Sequence, residues 1–268
     1  MTAVEMPLSD PEESSPARAH DARARRATRR AVEAFFKPYG LPDDTLDAVV
    51  SRARARWWRR EGTCYRISRR RMSSRMVFLN EGCVREERPT GEVRLWAGGT
   101  AFGEWTGAKT GPFGATGTML SSMAWGFLIP VADVNDLVVE HGDLLYVLAR
   151  MGAEHTHLAE ELYGVTRRSP TCRVASLLRY LASRTAPTYR TRDAGGQMVV
   201  RVSSAGLIEG PTQADLADAL ALGRATVEKS LAQLRECGAL KKQIPGARQN
   251  RLYEIEDGDI LREVAWGA

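Results

Sequence analysis

The stretch PTQADLADALALGRATVEKSLAQLRECGAL, residues 211–240, carries two short amphipathic segments split at ALALG, where one long helix would be simpler. Thr212 and Asp215 form an S/T-x-x-D pair of the kind that starts a helix. Leu216, Ala217 and Leu220 give that helix its inner face, and a turn falls near Ala221–Gly223. The second segment runs from about Arg224 to Glu236, with Val227, Leu231 and Leu234 on an i, i+4, i+7 stripe. Small Ala217 and Ala221 let the two helices cross closely, which is a helix-turn-helix arrangement. The break leaves the start of the second helix projecting, with Arg224, Ala225, Glu228 and Lys229 facing outward. An α-helix fits the major groove of duplex DNA, and its first turns reach base edges. Arg224 suits a bidentate pair to guanine, and Lys229 a second base or a phosphate. Gln213 and Thr226 are placed for phosphate oxygens, which fix register without reading sequence. In LKKQIPGARQNRLYEI two β-forming runs flank Pro245–Gly246, the pattern of a hairpin wing. Lys241, Lys242, Arg248 and Arg251 suit that wing to the DNA backbone. Over residues 206–255 seven Lys and Arg face six Asp and Glu, so placement rather than net charge carries the reading.

The rest of the chain is long enough to carry more than this module. It has 268 residues, 43% of them hydrophobic, and a formal net charge of +5, which weakly favours an anionic partner. Residues 1–30 read as a disordered tail whose second half, RAHDARARRATRR, carries six arginines. The clusters RARARWWRR (52–60) and RISRRR (66–71) sit among aromatic and β-forming residues, as the basic exterior of an ordered domain would. From Cys64 to about Ile129 short alternating runs such as RMVFLN and EVRLWA are separated by EG, PTG and AGG. That pattern predicts short strands joined by tight turns.

After Pro130 the periodicity becomes helical. Leu144, Leu148, Met151, His155, Leu158 and Leu162 step by 4, 3, 4, 3 and 4, a narrow seam of the kind that pairs helix with helix. The spacing predicts a parallel homodimer helix over 141–165, ended by Gly164. Thr166–Pro170 reads as a hinge, with Ser169 as N-cap and Pro170 at the first position of the next helix. TRDAGGQMVVRVS is a hairpin-like stretch that leads into the helix-turn-helix.

TQADLADALALGRATVEKSLAQLRECGAL is similar to the winged helix-turn-helix of the Crp/Fnr transcription regulators, and the order of elements agrees from about residue 40 onward. The resemblance implies an α+β chain in three parts: a β-roll of the cyclic-nucleotide-binding jelly-roll type (31–140), a long dimerisation helix (141–165) and a C-terminal winged helix-turn-helix (169–268). It implies a homodimeric regulator on a palindromic site in double-stranded DNA. The family usually reads DNA through R-E-x-x-x-R, matched here by Arg224, Ala225 and Lys229, so the site expected differs from the commonest family palindrome. LWAGGTAFGEW resembles the family's phosphate-binding cassette, with Gly103 and Glu104 at its Gly and ribose-binding Glu. About ten residues on, cyclic-nucleotide binders carry R-S/T-A; here Gly114, Ala115 and Thr116 stand, and no Arg lies between Trp105 and Arg150. A cyclic phosphate would lose its charge-assisted bidentate partner, so cAMP is not the expected effector. The polar pair that touches the adenine falls near His157–Leu158, which also departs from the family. Gly103, Glu104, Trp105, Gly114, Thr116 and His157 form the candidate effector pocket.

No cofactor or metal is expected. Cys64, Cys83, Cys172 and Cys237 lie far apart, residues 1–63 hold no Cys for a cluster, and no His lies between His20 and His141 to ligate haem. Successive helical residues point about 100° apart, so His155 and His157 do not easily share a metal. His155 reads as a polar seam residue, or as one that meets its symmetry mate and weakens the dimer in acid. There is no nucleophile elbow and no G-x-x-x-x-G-K loop, so the chain is not expected to be an enzyme. No apolar run approaches the roughly 20 residues that span a bilayer, and a cytoplasmic protein is expected. The competing reading is an effector-free interaction or architectural protein that docks a partner such as RNA polymerase through its basic roll surface.

Overall fold

The computed structural model describes residues 16–66, 75–103, 115–164, 166–184, 188–192, 198–202, 206–242 and 251–267. Helix α1 (Pro16–Phe36) and α2 (Asp43–Arg52) precede eight strands: β1 (Arg54–Arg59), β2 (Thr63–Arg66), β3 (Arg75–Glu81), β4 (Cys83–Glu87), β5 (Val93–Ala97), β6 (Thr100–Phe102), β7 (Thr116–Met119) and β8 (Met123–Pro130). They form two antiparallel four-stranded sheets, ordered β1-β8-β3-β6 and β2-β7-β4-β5, which enclose one core. Side chains alternate between the faces of a strand. Accordingly Val77 and Leu79 of β3 join Trp58 and Leu95 in one buried cluster, while Met76 and Phe78, on the opposite face, join another. Strands β3 and β8 approach so closely at Gly126 that a Cβ there would lie 2.0 Å from the Phe78 carbonyl oxygen.

The outward face is apolar because α1 covers it. Residues 16–30, expected to belong to a disordered tail, instead begin this helix. Ala31, Val32, Phe35 and Phe36 are buried against the sheet. The Phe35 ring lies 5.2 Å from Phe78 and 5.6 Å from Phe127, edge-on to both, and Phe78 stacks on Phe127 at 4.7 Å. Two polar contacts set the angle of approach: Thr28 Oγ1 accepts from the Ala55 amide at 3.1 Å, and Asn80 Nδ2 donates to the Ala31 carbonyl at 2.8 Å. The arginine-rich turns are therefore the leading half of a helix anchored by its trailing half. Residues 1–15 lie outside the described residues.

Helix α3 (Val131–Glu140) leads into α4 (Gly142–Ala159), which continues as a π-helical turn over Glu160–Gly164. The seam expected to pair two subunits faces its own chain. Leu144, Leu148 and Met151 pack in the cluster beneath α1, and Leu158 and Leu162 pack on the roll core. His155 lies against Trp96 of its own chain, with ring centroids 3.9 Å apart. The 4-3-4-3-4 period identified the apolar stripe correctly but carries no information about which surface the stripe buries against. The opposite face leaves Leu145, Tyr146, Ala149, Gly152, Ala153 and Thr156 exposed.

Helix α5 (Pro170–Arg184) begins where the Cys172 amide donates to Ser169 Oγ at 3.2 Å. The hairpin of β9 (Thr188–Arg192) and β10 (Met198–Val202) follows, then β11 (Leu207–Glu209), α6 (Gln213–Leu220), α7 (Arg224–Glu236), β12 (Leu252–Glu254) and α8 (Gly258–Trp266). Leu177, Leu178 and Leu181 of α5 are fully buried and join the roll core to Val227, Leu231 and Leu234 of α7 in one continuous cluster. Two tyrosines cover the free edge of β5. Tyr163 Oη accepts from the Leu95 amide at 2.8 Å and donates to the Leu95 carbonyl at 2.7 Å, and Tyr180 Oη accepts from the Ala97 amide at 3.2 Å. An edge so satisfied cannot recruit a foreign strand.

Candidate nucleic-acid interface and sensor cavity

The helix-turn-helix starts from a reciprocal cap. Thr212 Oγ1 accepts from the Asp215 amide at 3.1 Å, and Asp215 Oδ2 accepts from the Thr212 amide at 2.7 Å. Helix α6 ends at Ala221, which sits in the left-handed region with φ 47°, and α7 begins at Arg224 after Gly223. A non-glycine residue there is costly, and Ala carries the smallest side chain that can occupy it. Val227, Leu231 and Leu234 are fully buried, which fixes the roll angle of α7 about its axis. Arg224, Ala225, Glu228 and Lys229 consequently share its exposed side. Arg224 Nε lies 3.2 Å from Glu228 Oε1, an i, i+4 pair at the exposed start of the helix. Gln213 and Thr226 are half-buried beside it.

The base of the wing is antiparallel: β11 pairs with β12, and Leu240 bridges to Ile255. Lys241 and Lys242 are exposed, Lys241 forming an ion pair with Glu254. Arg251 is half-buried and donates to the Gly210 carbonyl at 3.1 Å, so it fastens the wing to the start of the module. Arg248 and the turn at Pro245–Gly246 lie outside the described residues.

The module is joined to the roll by ion pairs. Arg85 of β4 reaches Asp215 at 3.1 Å and Asp218 at 2.9 Å, both on α6. Arg60 reaches Glu209 at 2.8 Å, and Glu209 also accepts from the Ser122 amide at 3.1 Å and the Ser122 hydroxyl at 3.0 Å. Gly210, at φ +132°, lies so close that a Cβ would sit 3.0 Å from the Ser121 amide nitrogen.

Between the roll and α4 lies a cavity of about 210 Å³. Of the expected effector-pocket residues that are described, Gly103 lines it and Thr116 and His157 do not. Thr116 lies on β7 in the other sheet, opposite Glu87, and His157 is exposed on the outer side of α4. Glu104, Trp105 and Gly114 lie outside the described residues. His155 lines the cavity in place of His157, because the α4 stripe turns residue 155 toward the roll. Burial holds the His155 imidazole below its ordinary pKa; Glu86 pulls the other way, and Arg94 and Arg88 add to the depression. Glu86 is 7% exposed, and its Oε2 accepts from Trp96 Nε1 at 2.7 Å. Sequence reasoning missed this pair. Glu86 and Trp96 are ten residues apart, and only the β4–β5 register, Val84 opposite Trp96 and Glu86 opposite Arg94, sets them diagonally on one face. Among the described residues no group of three or more His, Cys, Asp or Glu is placed to hold a metal, and no helix is long and apolar enough to cross a membrane.

The eight-stranded roll, the long helix laid across it and the helix-turn-helix form a fold shared with solved structures named as a CRP-family transcriptional regulator and a cyclic nucleotide binding protein. Solved structures with this fold include a proposed cyclic nucleotide binding protein from Ruegeria pomeroyi, at 19% identity over 91% of this chain and 99% of that one, with a TM-score of 0.56. FixK2 from Bradyrhizobium japonicum matches at 18% identity over 79% of this chain and 96% of that one, with a TM-score of 0.55. A CRP-family transcriptional regulator from Thermus thermophilus matches at 22% identity over 80% of this chain and 97% of that one, with a TM-score of 0.53. No protein-family model matches the sequence, and no curated protein matches it.

Proposed function

We propose that the protein is a homodimeric, sequence-specific transcription regulator that binds palindromic duplex DNA and whose roll senses an effector other than cAMP. The observation that carries this reading is the exposed start of α7. Arg224, Ala225, Glu228 and Lys229 stand outward over a fully buried Val227–Leu231–Leu234 stripe, beside a wing that exposes Lys241 and Lys242. A rigid helix end flanked by cations reads base edges while the cations hold phosphates. The structural neighbours named as transcription regulators support it.

The dimer face is the outer side of α4. Leu145, Ala149, Gly152 and Thr156 step by 4, 3 and 4 there, and Tyr146 is 70% exposed. Small residues at such spacing allow two helices to approach closely, with Leu145 and Tyr146 supplying the apolar contact. Two recognition helices set about one DNA turn apart, roughly 34 Å, would read a two-fold site. Selection of genomic fragments by the purified protein, with and without a nucleotide panel, tests the reading. The expected result is a palindrome whose recovery is indifferent to cAMP; recovery of fragments with no shared sequence would refute it. Sedimentation of Leu145→Glu tests the face: it should run as a monomer where wild type runs as a dimer.

A second reading is partner docking through the basic roll surface. Trp57 is 59% exposed and stacks on Trp125 with ring centroids 5.6 Å apart, beside exposed Arg54, Arg56 and Arg59. Trp57→Ala that lowers transcription activation while leaving DNA affinity intact would favour this role.

A further inference from the structure

We infer that the cavity between the roll and α4 binds a small organic cation with an apolar body, held through Glu86. This rests on the reading of the roll as a sensor and gives its effector a chemical class. The cavity's deepest charged group is negative. Glu86, only 7% exposed, lines the cavity and receives one hydrogen bond among the described residues, from the neutral Trp96 indole. A buried carboxylate is costly unless charges or several donors complete its shell. The nearby cations are engaged elsewhere. Arg94 pairs with Glu92 at 2.7 Å and lies over the Tyr163 ring, and Arg88 pairs with Glu92 at 3.5 Å. Glu154 on the wall is matched by Arg150 at 2.9 Å. Arg184 stands exposed at the rim near Gly99. Among the described residues that line the cavity, Glu86 is therefore the buried carboxylate with no ion pair, and an ammonium or amidinium would give it charge-assisted hydrogen bonds.

The remaining walls fix the body of the ligand. Met76, Phe102, Leu148, Met151 and Leu158 are apolar. Benzene fits a cavity of about 150 Å³, so 210 Å³ takes one ring plus a short arm. An anionic cyclic nucleotide meets a like charge where it would need a partner.

The test uses full-length protein labelled with 5-fluorotryptophan, the Trp96 resonance being assigned with Trp96→Phe. Fluorine NMR then follows titration with phenethylammonium, with 3-phenylpropionate of similar shape and opposite charge, and with cAMP. Phenethylammonium should move the Trp96 resonance saturably, and the two anions should leave it in place. Glu86→Gln should weaken the amine about tenfold, the difference between a charged and a neutral acceptor. Leu158→Phe, which fills the cavity without altering charge, should abolish the shift. No saturable shift with the amine, an equal shift with an anion, or undiminished binding by folded Glu86→Gln would overturn the assignment. If Glu86→Gln does not fold, the wild-type cation–anion comparison decides alone. None of these signals involves DNA, so failure here is distinct from failure of the DNA-binding reading, which the genomic selection tests.

Discussion

Replacing Arg224 by Ala separates base reading from everything else the module does. In the free protein Arg224 is paired with Glu228 at 3.2 Å, and the two side chains are 68% and 49% exposed. An exposed i, i+4 pair contributes about 0.3–0.5 kcal/mol, so opening it to engage DNA costs little and losing it barely alters stability. A bidentate arginine–guanine contact is worth about 1–3 kcal/mol of discrimination. The net loss on the cognate site is therefore about 0.5–2.7 kcal/mol, which corresponds to roughly 2- to 100-fold weaker binding. Binding to unrelated duplex should change far less, since one exposed cation of several is removed. Fluorescence anisotropy on the selected site, on the same site with the contacted base pair exchanged, and on unrelated DNA measures all three. The variant should lose its preference at that base pair alone and melt within about 0.5 kcal/mol of wild type. A variant that footprints like wild type, with the preference intact, would refute the placement of Arg224 in the groove.

Lys241→Ala should weaken cognate and unrelated DNA by the same factor and reduce the slope of log affinity against log salt by about 0.9, as measured by anisotropy from low to moderate salt. Phe35→Ala should destabilise the fold by about 3–5 kcal/mol in urea titrations, because Phe35 is buried between Phe78 and Phe127; a change under about 1 kcal/mol would mean that α1 is dispensable. His155 imposes a pH slope. Burial lowers its folded pKa below the ordinary 6.5, so the unfolded chain takes up a proton before the native protein does. Stability is then complete above 6.5 and falls as the pH drops through that value toward the folded pKa. Glu86, Arg88 and Arg94 are the charged groups that face His155, and His155→Phe should flatten the dependence of Tm on pH between about 7 and 5.

Legibility in the sequence followed the range of the interactions. Helix α6, its turn and α7 were readable to the residue, since the Thr212–Asp215 cap and the Val227–Leu231–Leu234 stripe are local. The roll was readable as strands and turns, but the pairing that sets Glu86 beside Trp96 depends on register across a hairpin. The α4 stripe was legible as an apolar face, and its partner was not, because periodicity is blind to what lies opposite. Helix α1 was misread because its arginine-rich turns resemble a solvated arm. Arg and Ala are good helix formers, and the anchoring AVEAFF lies at the far end of the same helix.

Asp215 serves two structures at once. One oxygen accepts from the Thr212 amide and hydroxyl to start α6, and the other meets Arg85 on the roll. Substituting Asp215 would fray the helix and loosen the joint together, so the two effects could not be told apart at that position. Asp218, bound to the same guanidinium but outside the cap, offers a clean cut. Substituting Asp218 would weaken that ion pair while the Thr212–Asp215 cap of α6 stays in place, so the strength of this one tether is set apart from the helix that the cap starts.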